Sequence, residues 1–357
     1  MTAGSLRRPV FVCGLGETGA VPEDPRSIPE MVLAAVQAAY RDAGCTQADV
    51  DAVVTASVDL LDGLTASNIA ITEVVDAVMK PETRIAADGL AAALHAAAQI
   101  AAGSYDTVLV VAHCKASMAD YQALTRWALD PIYLQPLGVD FLACAGLQAM
   151  ALAEDDPGAE RRWAQIAAAR RSCGSSAFSG LCDVDRILVS PLVAAPLRAG
   201  MCAPLGDAAC AVVLTAQAPA RSAAIAVRMA GLGWDLERHS LGDRHLRTWD
   251  GLKRAFERAC GTAGIEPTAG GFELAEPSCL YPHEEELFAR ATGIDAATPL
   301  SPEGGLFPGT APIVAGLSRL AAAARRMRQG RAERALAHGA WGPAGQGQAV
   351  AVLEARA

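Results

Sequence analysis

Short apolar runs bounded by glycine alternate along the chain with longer alanine-rich stretches in which apolar positions recur every third or fourth residue. The short runs predict buried strands and the periodic stretches predict helices. Their alternation predicts an α/β protein with largely parallel sheets. In the first half the spacing predicts a strand over 9–14, a helix over 27–43 stopped by Gly44, and a strand over 50–57. A helix around 67–79, a helix over 89–102 stopped by Gly103, and a buried strand over 107–112 follow. Glycine just past the last periodic residue is the expected stop, because it takes left-handed backbone without a Cβ penalty. The second half predicts strands over 223–231 and 271–275 with a helix over 249–263 between them. Helices over 284–291 and 312–328 come next, and strands over 334–338 and 349–354 close the chain.

The two series resemble each other at a separation of about 220 residues, which points to a duplicated unit. The expected division is 1–217 for the first half and 218–357 for the second. Residues 116–205 do not fit the repeat: a helix over 142–153, a polar turn at 155–158, a helix over 159–173, then loops. Long insertions of this kind commonly form lids or binding loops. A strand over 208–216 completes the first half.

Composition narrows the partners. The 357 residues are 52% apolar and 19% charged, with 30 basic against 39 acidic side chains and a net charge of −9. That balance argues against a nucleic-acid surface. No apolar run reaches the roughly 18 residues of a spanning helix. Residues 1–9 carry Arg7 and Arg8 but no hydrophobic signal core, so a cytoplasmic protein is expected. Ten cysteines are scattered without Cys-x-x-Cys pairs or zinc-ligand spacing, which reads as reduced core thiols and no metal site.

Residues 86–97 (Ala-Ala-Asp-Gly-Leu-Ala-Ala-Ala-Leu-His-Ala-Ala) and 100–111 (Ile-Ala-Ala-Gly-Ser-Tyr-Asp-Thr-Val-Leu-Val-Val) resemble the nucleophile helix and following strand of the thiolase superfamily. The sterol-carrier-protein type is the nearest in pattern. Residues 10–18 and 28–44 resemble its opening strand and helix. Segments 190–197 and 205–214 resemble its Ser-Pro…Pro-Leu…Asp-Gly-Ala-Ala junction, and 304–316 its glycine-rich loop. The resemblance implies a duplicated five-layer α/β/α/β/α fold that makes or breaks carbon–carbon bonds in acyl-CoA thioesters. It also implies a nucleophilic cysteine at a helix N-terminus and histidines that activate it.

Those residues are replaced here. Ala86 occupies the nucleophile position, and Ala275 and Ala311 stand where the two histidines belong; His338, in Leu336-Ala337-His338-Gly339, is the retained match. An acyl-enzyme at position 86 is excluded, since alanine has no accepting atom.

Asp88 reads either as a carboxylate base or as an N-cap. Glu276, Tyr281 and His283 can carry protons in an aldol-type reaction, or can serve a helix start whose acids Glu284, Glu285 and Glu286 favour the dipole. Cys114, between His113 and Lys115, reads as structural. Arg161, Arg162, Arg170 and Arg171 lie where the family binds the phosphates of CoA, or form a solvated face. Gly304 and Gly305 permit close approach to a ligand or an unusual turn.

Two functions stay open. One is a degenerate subunit of a heteromeric acyl-CoA or acyl-carrier complex, a homo- or heterodimer with a thiolase-like or ketosynthase-like partner. The other is a non-covalent retro-aldolase on a CoA thioester, with Tyr281, Glu276 or His338 as proton carriers; some thiolase-like lyases work with a small OB-fold zinc protein. Either way a CoA or phosphopantetheine thioester is the implied ligand, with no covalent cofactor.

Overall fold

Helix boundaries follow local chemistry. In the computed structural model, residues 6–63, 66–173, 177–178, 180–218, 225–267 and 271–356 are described. The chain opens with β1 (Phe11–Glu17) and α1 (Ile28–Ala43). Ser27 and Glu30 cap the start of α1 reciprocally, and Gly44 ends it in the left-handed region at φ 70°. Then come β2 (Ala52–Ala56), the single turn α2 (Asp59–Asp62), β3 (Glu82–Ile85), α3 (Gly89–Ala102) and β4 (Thr107–Lys115). The insertion holds α4 (Tyr121–Trp127), α5 (Phe141–Ala153), α6 (Ala159–Ser172), α7 (Val184–Leu188) and the hairpin β5 (Leu192–Ala194) and β6 (Leu197–Arg198). After β7 (Asp207–Thr215) the second half runs β8 (Ala226–Leu236), α8 (Asp250–Ala263), β9 (Leu274–Glu276), α9 (Pro282–Thr292), α10 (Ala315–Arg328), β10 (Arg334–Trp341) and β11 (Gly347–Arg356).

The strands order as β3-β2-β4-β7-β1-β8-β11-β10-β9, with the halves meeting at a short antiparallel β1–β8 contact. Parallel pairing is confined to β3-β2-β4 and β9-β10; every other neighbour is antiparallel. The expected largely parallel sheet is therefore corrected to a mixed one. Strands β7 and β11 return beside the opening strand of their own half, a direction that a pattern of apolar runs does not encode.

Strand alternation builds the layers. Val108, Val110 and Ala112 of β4 face a central core shared with α3 and α10, while Leu109 and Val111 face α1. In the second half Ala335 and Ala337 of β10 face the same central core, and Leu336 faces α8 and α9. The order α1, half-sheet, α3 with α10, half-sheet, α8 with α9 is a five-layer α/β/α/β/α fold. The repeat reaches atomic detail. Gly14 and Gly16 of β1 lie against the carbonyl oxygens of Ala39 and Ala35, and Gly231 and Gly233 of β8 lie against those of Ala259 and Ala255.

Two expectations at 67–79 and beyond fail locally. Residues 67–79 form a short 3₁₀ turn at Ile69–Ile71 and irregular turns, with Asp76 and Met79 at positive φ. The segment is rich in β-branched residues, which lose side-chain freedom in a helix. Among the cysteines, five are buried but Cys173 and Cys182 are exposed, so not all are core thiols.

Gly233→Ala is expected to cost about 1–3 kcal/mol, because the new methyl overlaps the Ala255 carbonyl oxygen. Gly242→Ala, with only Ser240 Oγ at 3.7 Å, is the control. Thermal melting of the two variants checks this; equal midpoints would refute the packing argument.

Candidate functional site

The N-termini of the two central helices converge, and one carboxylate joins them. Asp88, fully buried, accepts the Leu90 N–H at Oδ1 (2.8 Å) and the Gly316 N–H of α10 at Oδ2 (2.8 Å). The Gly89 N–H donates to the Ile313 carbonyl at 2.8 Å. Gly316 and Gly339 carry no side chain because a Cβ at either would overlap Asp88. Burial pushes the Asp88 carboxyl up to about 7 against the pull of its N–H donors. These bonds are those of the N-cap reading, and Asp88 is absent from the walls of the two cavities described next.

Beside this junction lies a cavity of about 220 Å³. Ala86 and Ala87 from the α3 side, Pro312, Ile313 and Ala315 from the α10 side, and the turn after β10 wall it. Two helix N-termini thus flank it, a setting that favours negative charge. The methyl of Ala86 stands where the resemblance placed sulfur. A second cavity of about 690 Å³ is built mainly by the insertion, and Tyr121, Thr125, Leu280 and Tyr281 border both.

The polar side chains come from one loop and two helices. Tyr281 N-caps α9, and Glu284 at its third position accepts the Leu280 N–H (2.7 Å) and the Tyr281 N–H (3.2 Å) at Oε2. Glu284 lines the smaller cavity, and among the described residues nothing bonds its other oxygen. Burial pushes it up to about 8, although both N–H donors oppose the shift. Burial also raises the Tyr281 phenol well above its ordinary value, helped by the acidic neighbourhood of Cys202, Glu284 and Tyr121. Glu285 and Glu286 turn the other way: Arg170 grips Glu285 at 2.7 and 2.8 Å, and Arg162 meets Glu286 at 2.6 Å. These pairs dock the insertion helix α6 on α9.

The other sequence candidates sit elsewhere. His338 faces Trp249 and Phe288 in the outer core, with ring centroids at 5.8 and 5.3 Å, and burial lowers it to about 4. It leaves the proton-carrying set because it lines neither cavity; alternation sets it, with Leu336, on the side of α8 and α9. Glu276 is buried in an ion pair with Arg319 (2.9 Å) and lines neither cavity. His283 packs between Trp163 and Tyr281, bonds Gln148 at 3.3 Å, and is lowered by burial to about 3. Arg161 pairs with Asp185 at 3.3 Å and Arg162 with Asp156 and Glu286, and neither arginine lines either cavity. Gly304 and Gly305, at φ 95° and 64°, form a tight turn against the Arg170 carbonyl and Ser301, and neither lines either cavity. Ala275 and Ala311 are core residues, each almost fully buried.

None of the six histidines lines either cavity, and the smaller cavity has no cysteine in its wall. Cys114 is fully buried and its thiol is raised far above 9.0 by desolvation. Cys202, in the larger cavity, is pushed up to about 12 by burial despite nearby Arg171. Cys182 also lines the larger cavity, but no imidazole stands in either wall to activate a thiol. Sequence reading missed Tyr121 and the free oxygen of Glu284; the Glu-Glu-Glu run was the available signal.

The backbone places this arrangement. The chain has the thiolase fold. It superposes on the Ltp2-ChsH2(DUF35) aldolase with a TM-score of 0.79 at 17% identity, covering 98% of both chains. Human mitochondrial 3-ketoacyl-CoA thiolase in complex with CoA matches at 0.78 and 16%, covering 99% of this chain and 100% of that one. A monomeric SCP2-thiolase like protein type 1 from Mycobacterium smegmatis matches at 0.74 and 19%, covering 98% of this chain and 78% of that one. No protein-family model and no curated protein matches in sequence. Among the described residues no helix is long and apolar enough to cross a membrane.

The raised carboxyls make stability pH-dependent. Between its ordinary 4.5 and about 8, Glu284 keeps a proton in the folded chain that the unfolded chain has released, so this stability is complete below 4.5 and is lost as pH rises through about 8. Glu284→Gln is expected to flatten that fall. Melting temperatures of both proteins at about pH 5, 7 and 8.5 check it; parallel curves would contradict the assigned burial.

Proposed function

We propose that this protein cleaves a carbon–carbon bond in a β-hydroxyacyl-CoA thioester by a non-covalent retro-aldol reaction. The observation that carries the reading is a cavity at the start of α3, beside Ala86, that holds a phenol and a carboxyl raised by burial but neither thiol nor imidazole. The structural likeness to an aldolase supports it.

Ionised Glu284 takes the β-hydroxyl proton. The Cα–Cβ bond breaks, its electron pair passes to the thioester as an enolate, and the β-carbon leaves as a carbonyl compound. The proton held by Glu284 then returns to the α-carbon, so the thioester leaves shortened and no redox partner is needed. A carboxyl titrating near working pH suits such a shuttle. Tyr281, kept neutral by burial, donates a hydrogen bond to the substrate oxygen, and the α3 and α10 N-termini favour the enolate charge. The larger cavity, walled by Leu181, Pro191, Leu205 and Phe307, gives room for a pantetheine arm.

A second reading, a non-catalytic subunit of a heteromeric acyl-CoA complex, draws on the exposed apolar side chains Trp127, Ile132, Tyr133 and Leu137 beside α4. A thiolase-like or ketosynthase-like subunit, or a small OB-fold zinc protein, is the class of partner it requires.

The purified chain separates them. Turnover of a β-hydroxyacyl-CoA is expected, rising through an apparent pKa near 8. Tyr281→Phe and Glu284→Gln are each expected to lower kcat by about 10²-fold or more. Absence of turnover by the isolated chain, with an intact thiolase copurifying in equal amount, would establish the subunit reading instead.

A further inference from the structure

Removing His338 from the proton-carrying set leaves a fully buried imidazole that is bonded at both nitrogens. The chain of donors fixes its state. The Gly345 carbonyl only accepts, so the Gln348 amide nitrogen faces it, at 2.7 Å. The Gln348 oxygen is thereby turned toward His338 Nε2 at 2.6 Å, and an amide oxygen only accepts, so Nε2 carries the proton. Nδ1 is then bare and accepts the Ser278 N–H at 3.2 Å. One neutral tautomer satisfies all three bonds.

Both ends of this relay are cavity walls. Ser278 and Gly345 each line the smaller cavity, and Ser278 lies three residues before Tyr281 on the loop that delivers the phenol. The opposite wall is a turn that needs holding. Gly342, Ala344 and Gly345 all have positive φ, and at 50° Ala344 is a non-glycine residue in the left-handed region. Arg244 grips the Pro343 and Ala344 carbonyls at 2.8 and 2.7 Å, and Trp249 Nε1 reaches the Ala344 carbonyl at 3.3 Å. His338 alone among these residues also reaches the Ser278 side.

We propose that His338 is a positioning residue: through Ser278 on one side and Gln348–Gly345 on the other, it sets the spacing of the two walls between which the thioester reacts. It touches no substrate. The proposal rests on the lyase reading for its effect on turnover, but not for the coupling itself.

Amide hydrogen exchange on the full chain, together with kcat and KM, tests it. In His338→Ala both 278–281 and 342–345 are expected to lose protection, with kcat falling about 10²-fold and KM changing far less. His338→Asn returns an acceptor to the Ser278 N–H, so protection is expected to recover in 278–281 but not in 342–345. Gln348→Leu, which leaves the imidazole in place, is expected to loosen 342–345 alone and serves if the alanine variant does not fold. Unchanged exchange in both segments, a uniform rise across α8 and α9, or an unaltered kcat per folded molecule would overturn the proposal. If the unmodified protein cleaves no thioester while the exchange pattern holds, the lyase reading falls and the coupling stands.

Discussion

A single carboxylate, Asp88, makes the middle layer of this protein possible. Two helices buried between two half-sheets bring their N-terminal N–H groups into the interior, where each needs an acceptor. Asp88 answers one donor from each helix, and the Gly89 N–H finds the Ile313 carbonyl on the way into α10. The geometry allows nothing larger than hydrogen at 316 and 339. Small residues along α3 and α10 then let the half-sheets close over them. The cavity follows from the same junction: helices that start side by side leave a gap at their N-terminal ends, walled by Ala86, Ala87 and Pro312.

That gap carries a helix-end field whatever side chain stands at position 86. The methyl of Ala86 offers no atom for covalent capture, and on the retro-aldol proposal that field is what supports the enolate. Tyr281 and Glu284 lie in the cavity wall at the start of α9, where they share one capping arrangement. Burial in that wall holds the phenol neutral and brings the carboxyl toward working pH. The other two glutamates of the run are held by α6 arginines. One helix start therefore both anchors the insertion and faces the cavity.

Much of the scaffold was legible in the sequence because its signals are local. Ser27 with Gly44 and Asp88 with Gly103 bracket helices that form at those bounds, and the similar order of strands and helices about 220 residues apart made the duplication visible. The edge strand β3 escaped because Glu-Thr-Arg-Ile lacks an apolar run, and its second-half counterpart survives only as a bridge between Ala275 and Leu300. The site was less legible. An arginine pair reads the same whether it meets phosphate or Glu285 and Glu286, since the partners lie more than a hundred residues away. Asp88 reads as a cap from its neighbours, but its bond to α10 is invisible until the helices meet.

His338 shows why a retained motif residue is a weak guide to chemistry. On β10 the residue before it and the one two before alternate between central and outer cores, so its own side is fixed by strand geometry. On the outer side it sits among Trp249 and Phe288, where an imidazolium would be costly and the neutral ring is held instead. A buried neutral imidazole offers one donor and one acceptor at fixed angles, which suits joining two backbone segments better than moving protons. Such groups hold the cavity from behind its walls, while Tyr281 and Glu284 are among the few polar side chains that break the wall's apolar surface.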